Sequence, residues 1–297
     1  MKNILIIGCG LIGSSILRAI RAKKISKNIY VYEKSKKNIS IIKKLKIECK
    51  IINKLDNVSN NFDLIILCTP MSQYQNVITR INKYISNKTI VTDVGSTKES
   101  SSKQVRKLLN KNKIWIPSHP IAGSEVSGAK HGDKNLFKNK WCVLIKEKNT
   151  KKKYLSKLRI FCKKLGSKVI LMNLKQHDIV FSMTSHLPHL IAYNLVKTAT
   201  DFEKQKKYNL IKYSAGGLRD FSRIAASNEI MWRDVFFSNQ KNIISAINLF
   251  IRNLNLFKKN IKKRENKKLI KKLINSKKVR KQIIQLKQDI DKPDFGR

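Results

Sequence analysis

The apolar run Ile4-Leu5-Ile6-Ile7 ends in Gly8-Cys9-Gly10-Leu11-Ile12-Gly13, and this spacing constrains the fold more than any other feature of the chain. A G-x-G-x-x-G after a strand and at the start of a helix is a dinucleotide-binding fingerprint. Gly8 permits the tight turn, Gly10 lets a pyrophosphate approach the backbone, and Gly13 lets helix and strand pack closely. The helix N-terminus, with Leu11 and Ile12 in its first turn, offers free N–H groups and partial positive charge to phosphates. Glu33 closes the next apolar run twenty residues beyond Gly13, where a ribose-binding acid belongs. A carboxylate there accepts from the 2′- and 3′-hydroxyls and repels a 2′-phosphate, which favours NAD. The basic residues Lys34, Lys36 and Lys37 just after it leave NADP open.

The rest of the first half alternates in the same manner. Strands are expected at residues 3–7, 29–32, 63–68, 89–93, 114–117, 141–145 and 168–172, and helices at 11–23, 71–85, 97–111 and 151–165. This alternation predicts an α/β fold, an N-terminal Rossmann-type doubly wound parallel sheet. Beyond about residue 174 strand signal fades. Helical periodicity covers 176–204, 230–256 and 258–289, with a turn at Gly216-Gly217, so an all-α C-terminal domain is expected. The boundary falls between 1–172 and 173–297. No Pro/Gly/Ser-rich linker marks it, which implies an extensive interface.

Composition enters chiefly to exclude. No apolar run approaches the ~18 residues of a membrane span. The glycines interrupt the N-terminal apolar run and no small-residue cleavage site follows, so it reads as a strand and not a signal peptide. Five scattered cysteines, none in a Cys-x-x-Cys pair, suit a reducing cytoplasm. The formal net charge of +45 invites a nucleic-acid reading. Yet lysine, isoleucine and asparagine are abundant together along the whole chain, and the charge forms no stripe with interleaved aromatics. Residues 258–281, thirteen of them Lys or Arg, still keep Ile261, Leu269, Ile270, Leu273 and Ile274 at helical spacing. A solvated basic helix accounts for them, and no specific nucleic-acid partner is expected. The charge still favours anionic ligands.

Candidate chemistry lies in four further segments. His119 follows the strand at 114–117 and precedes Pro120, which disfavours helix before it; a loop of small residues, Ala122 to Gly128, follows. A histidine beyond a sheet's carboxyl edge can exchange a proton near neutral pH. Ser96, in Asp93-Val94-Gly95-Ser96-Thr97-Lys98, lies at the same edge and also suits a helix N-cap. His186 and His189 stand three residues apart without a third metal ligand of suitable spacing, so substrate binding or a buried structural role is expected. Arg219 and Arg223 suit carboxylate recognition, or a surface ion pair with Asp220. Trp232 lies near a helix start and suits core packing as well.

Taken in order, DVGSTK, SHPIAGSEVSG, HDIVFSMTSHLPHLIAY and GGLRDFSRIAASNEIMWRD strongly resemble prephenate dehydrogenase, including its arogenate-using (cyclohexadienyl) relatives. The resemblance runs from Gly8 to about Phe250. It implies that His119 is catalytic with Ser96 close to it, that His189 and Arg223 contact substrate, and that Gly216, Asp220 and Trp232 are site positions. It also implies a homodimer made by the helical domain. Ser124 and Val126 stand where threonine and lysine are frequent. No chorismate mutase or regulatory segment is expected in the chain, and the basic stretch after about 258 matches no motif.

The implied reaction is oxidative decarboxylation of prephenate to 4-hydroxyphenylpyruvate in tyrosine biosynthesis, with hydride passing to NAD(P) and His119 as base. Arogenate is the alternative substrate. A β-hydroxyacid-type dehydrogenase is the rival among enzymes, but that group centres its chemistry on a lysine in the helical domain. A dinucleotide-sensing, nucleic-acid-binding protein is the rival outside them.

Overall fold

The computed structural model describes residues 1–56, 61–286 and 288. The chain runs through β1 (Asn3–Ile7), α1 (Leu11–Ala22), β2 (Asn28–Tyr32), α2 (Lys36–Lys44), β3 (Lys50–Ile52), β4 (Leu64–Leu67), α3 (Tyr74–Ile81), β5 (Ile90–Asp93), α4 (Glu99–Leu108) and β6 (Ile114–Trp115). The strands form one sheet in the order β3-β2-β1-β4-β5-β6, every pair parallel. Side-chain alternation divides the strands between two cores. Ile4, Ile6, Leu64 and Ile66 face a cluster with α1, whereas Leu5, Ile7, Ile65 and Leu67 face a cluster with α3. Both faces are covered, as a parallel sheet requires. The order reverses between β1 and β4, so the ligand crevice opens at their carboxyl ends.

The strands expected at 141–145 and 168–172 do not extend this sheet. With β7 (Ser118–Pro120) they form a second, three-stranded sheet: β7 pairs antiparallel with β8 (Trp141–Ile145), and β8 pairs parallel with β9 (Lys168–Met172) through α5 (Lys152–Leu165). Pro117 explains the switch. The Ile116 N–H still bonds to Val91 of β5. Pro117 has no N–H to continue that ladder, and its carbonyl instead accepts from Ile145. His119 thus lies within a strand, opposite Val143, and not in the loop after one. The sequence pattern also overlooked α2 and β3, whose lysine-rich stretch has little apolar periodicity; Ser35 Oγ caps α2 from the Asn38 N–H.

After β9 come α6 (Leu174–Phe181), a π-helical turn (Ser182–His186), α7 (Leu187–Lys206), α8 (Gly216–Ala225), α9 (Glu229–Ser238), α10 (Gln240–Lys262) and α11 (Asn266–Gln285). Gly216 and Gly217 open α8 and do not form the expected separate turn. The expected helix at 258–289 is divided between α10 and α11, with Arg264 at φ +51° in the bend. Residues 287 and 289 of that expectation, and the tail to 297, lie outside the described residues. Trp232 and Val235 of α9 join the cluster beneath β4 and β5, which ties the helices to the sheet.

Candidate active site

The glycine turn has the geometry its spacing implies. Gly8 has φ +90°, and a Cβ there would lie 2.9 Å from the Cys68 carbonyl. A Cβ on Gly13 would lie 2.1 Å from the Gly8 carbonyl oxygen, whereas one on Gly10 would meet nothing within 4 Å. Gly8 and Gly13 are therefore required by the fold. Gly10 faces open space at an α1 N-terminus that no side chain caps. Glu33 is held by two backbone donors, Cys9 N–H at 2.7 Å and Ser35 N–H at 2.8 Å. Beside Gly8 the Thr69 hydroxyl is buried without a partner. This cradle, with open backbone, a fixed carboxylate and an orphaned hydroxyl, fits a dinucleotide. Leu11 and Ile12 stay half-buried in the first turn, and Lys34, Lys36 and Lys37 beside the acid are exposed, the last two opening α2. Burial, with Glu33 beside it, pushes the Cys9 thiol up to about 12. Cys9 is thus an uncharged neighbour of the turn.

The chemical site is assembled around β5 and β7. Asp93 Oδ2, at the end of β5, accepts from Lys98 Nζ at 2.5 Å, Tyr74 Oη at 2.9 Å and Gly95 N–H at 3.0 Å, and its Oδ1 accepts from Ser118 N–H at 3.1 Å. Lys98 is fully buried and also donates to the Ser118 carbonyl at 2.7 Å. The strand that carries His119 is thereby pinned to the end of β5. His119 is 8% exposed. Its Nδ1 lies 2.8 Å from Nε2 of His177, and His177 Nδ1 lies 2.8 Å from Asp178 Oδ1. Burial pushes His119 well below the ordinary histidine range, reinforced by His177, Lys98 and His186. It is neutral at physiological pH.

Asp178 also takes the helix-capping place that Ser96 suited as an alternative to a site role. Its two carboxylate oxygens accept from the Lys98 and Glu99 N–H groups at 2.8 and 2.9 Å, capping α4 from another helix. The Ser96 hydroxyl makes no hydrogen bond among the described residues and caps nothing. It is half-buried at the sheet edge, its backbone beside His186. His177 and Asp178 stood in the quoted motif without assigned roles. A signal was available: three of the chain's five histidines fall within 177–189.

In a regular α-helix His177 and His186, nine residues apart, point to about opposite sides at ~100° per residue. The intervening π turn is wider and rotates the later residues back, and both rings are fully buried. His186 Nδ1 accepts from Asn239 Nδ2 at 3.1 Å, a structural role. His189 is half-buried and donates through Nδ1 to the Ser185 carbonyl at 2.9 Å. Its ring stacks on Trp232 at 3.8 Å, and the Trp232 Nε1–H is buried without a partner. Across from them, Gly216, Asp220 and Arg223 share one face of α8 at i, i+4 and i+7. All three are exposed. Arg223 lies near enough to His189 to help lower it, after burial. The expected ion pair with Asp220 does not form; Arg223 Nη1 instead reaches Glu125 of the small-residue loop at 3.6 Å.

Room for a dinucleotide and a dry, neutral histidine thus meet at one edge of the sheet. That combination defines a nicotinamide-dependent dehydrogenase built from a Rossmann-type domain and a helical domain. Comparison with known proteins gives the particular group: the chain belongs to the prephenate dehydrogenase family. Residues 16–171 match the family model for the prephenate dehydrogenase nucleotide-binding domain, and residues 173–275 match that for its dimerization domain. The chain is 31% identical to cyclohexadienyl dehydrogenase of Zymomonas mobilis over 98% of each chain. It is 33% identical to prephenate dehydrogenase of Lactococcus lactis, over 90% of this chain and 73% of that one. Among solved structures, prephenate dehydrogenase of Aquifex aeolicus in complex with hydroxyphenyl propionate and NAD+ superposes with a TM-score of 0.89 at 33% identity, covering 95% and 98% of the two chains.

Proposed function

We propose that the chain catalyses the NAD-dependent oxidative decarboxylation of prephenate to 4-hydroxyphenylpyruvate, with residues 1–172 holding the dinucleotide and 173–297 holding substrate and forming a homodimer. Most support comes from the matches to both family domains, which begin at residue 16, within the helix after the glycine turn, and cover the His119 and α8 segments in one chain. NAD is favoured by Glu33, whose fixed carboxylate can accept from both ribose hydroxyls. Gly8, Gly10, Leu11, Ile12 and Gly13 would form the pyrophosphate turn. When bound, the oxidised nicotinamide accepts the hydride from the ring carbon that bears the hydroxyl.

His119 supplies the base. As that carbon is oxidised, the hydroxyl O–H bond breaks and the proton passes to the ring nitrogen of His119 that faces the cleft. The ring carboxylate leaves as carbon dioxide, its electrons aromatise the ring, and the proton returns from His119 to the phenolic oxygen. Arg223 holds a substrate carboxylate in a planar two-point contact, with Gly216 and Asp220 beside it on α8. His189 and Trp232 form the stacked wall, and Ser96 is free to meet the substrate hydroxyl.

The likeness to a cyclohexadienyl dehydrogenase favours arogenate as a second substrate. The homodimer reading gains support from α10, where Ile244, Ile251 and Leu254 are exposed. No helix among the described residues is long and apolar enough to cross a membrane, and a cytoplasmic enzyme fits the free cysteines. The test crosses prephenate and arogenate with NAD+ and NADP+ on purified protein, followed by reduced-nicotinamide absorbance. Turnover of prephenate with NAD+ is expected. No reduction in any of the four combinations would overturn the proposal.

A further inference from the structure

His119 can accept a proton only through a nitrogen that does not already carry one, and the structure contains the means to decide which nitrogen that is. Asp178 is anchored from three sides: its carboxylate by the Lys98 and Glu99 N–H groups, and its carbonyl by Asn239 Nδ2 at 2.8 Å. Although burial pushes this carboxyl up, hydrogen bonds from His177 and the two backbone donors hold it below the usual range. An ionised carboxylate only accepts. The 2.8 Å contact from Asp178 Oδ1 to His177 Nδ1 therefore requires the proton on Nδ1 of His177. Burial keeps His177 neutral, and a neutral imidazole has one N–H. Nε2 of His177 is thus bare, and its 2.8 Å contact with His119 Nδ1 requires His119 to donate there. What is left to His119 is a lone pair on Nε2, which has no partner among the described residues and keeps contact with solvent.

We propose that His177 and Asp178 form a positioning relay that fixes His119 in the Nδ1–H tautomer and so leaves Nε2 as the acceptor for the substrate hydroxyl. The proposal rests on the reading of His119 as the base. Neither relay residue touches the reacting atoms; each acts through the next ring. The same network makes the arrangement conditional. Were His177 protonated, both its nitrogens would donate, and His119 Nδ1 would have to accept, with its proton moved to Nε2. Burial of the His177 ring, against Phe181 at 4.5 Å, opposes that state most, and Lys98 before α4 adds to it; Asp178 and Asp93 favour it, but burial prevails. Val143 of β8 is the cross-strand neighbour of His119.

The relay can be tested without turnover. The chain has five histidines, so its ¹⁵N-histidine-labelled form allows the His119 tautomer to be read by NMR from the coupling of each ring nitrogen to the ring carbon protons. A proton on Nδ1 of His119 is expected in the parent; a proton on Nε2 overturns the relay whatever the enzyme's activity proves to be. If the parent shows the expected tautomer but oxidises neither substrate, the functional reading fails and the relay stands. Kinetics supply the second arm. His177→Phe should lower kcat by ~10-fold or more, within the ~10²–10⁴-fold that a general base contributes. Its KM for prephenate and its affinity for NAD+, measured by fluorescence titration, should hold within about twofold. His177→Gln, which keeps an acceptor for the His119 Nδ1–H, should recover most of that loss. Equal losses in the Phe and Gln variants, both folded by thermal melt, would show that the ring packs and does not relay.

Discussion

The two walls of the proposed active site are built to different standards. On the sheet side, Asp93, Lys98, Ser118, His119, His177 and Asp178 are all buried and joined by hydrogen bonds. On the helical side, Gly216, Asp220 and Arg223 line an exposed face of α8, none of whose residues is buried. Proton transfer needs a base already in place, because reorganisation during the step raises the barrier. Carboxylate capture can wait for the ligand, since an exposed guanidinium needs no protein partner until substrate arrives. The difference teaches which residues are fixed by folding and which become ordered by binding.

The strongest test of the dry wall removes its cation. Lys98→Met leaves Asp93 buried without its 2.5 Å partner. Breaking one side of a buried pair costs ~3–5 kcal/mol, so urea unfolding should show a loss of that order. A loss below ~1 kcal/mol would place Lys98 with the surface pairs and erase the contrast between the walls. Acid should act on the same wall by about as much. Burial, with His177 adding to it and Asp178 opposing, pushes His186 from 6.5 down to about 4. Between those values the unfolded chain binds a proton that the native chain does not. Stability is therefore full above the unfolded value and is lost as pH falls toward the folded one. For His186 alone the loss is about 3 kcal/mol over the window. His119 and His177 shift in the same direction. Denaturation midpoints measured from neutrality down to about pH 5 should fall steadily; a flat profile would mean that these rings are solvated.

Chemistry gives the next effect. His119→Asn should lower kcat by ~100-fold or more while NAD+ affinity holds, because the ring lies in β7 and not in the glycine turn. Near-normal turnover would remove His119 from the mechanism and leave the dry wall as mere packing.

Much of the dinucleotide half was legible because its causes are local. Gly8, Gly13 and Glu33 act through backbone geometry within one βαβ unit, and spacing records that directly. The second sheet was not legible, since it depends on one missing N–H at Pro117 and on a long-range choice between β5 and β8 as neighbour. Site residues divided in the same way. His119 was proposed from its own segment and from the family resemblance. The partners that fix it, His177 and Asp178, lie 58 and 59 residues away in sequence, and only the fold brings them together. For Ser96 only the alternative reading fails: a serine before a helix suits a cap, yet a carboxylate from α6 took that position.

The open wall is tested by Arg223. Its guanidinium side chain is 56% exposed and its Glu125 partner 33%, at 3.6 Å. A pair so exposed contributes ~0–1 kcal/mol, which gives folding little reason to require arginine there. Substrate gives a better reason, because a planar fork can hold a carboxylate at two points where an ammonium holds one. Arg223→Gln should therefore leave the unfolding midpoint within ~0.5 kcal/mol and raise KM for prephenate by ~10-fold, the equivalent of ~1.4 kcal/mol. Arg223→Lys should recover only part of that, since charge returns without the fork. Glu125→Gln separates the two partners further: it frees Arg223, so KM should stay level or fall. If Arg223→Gln instead destabilised the fold and left KM unchanged, α8 would belong to the fixed wall, and the carboxylate would need another cation, with Arg219 on the same helix the first to examine.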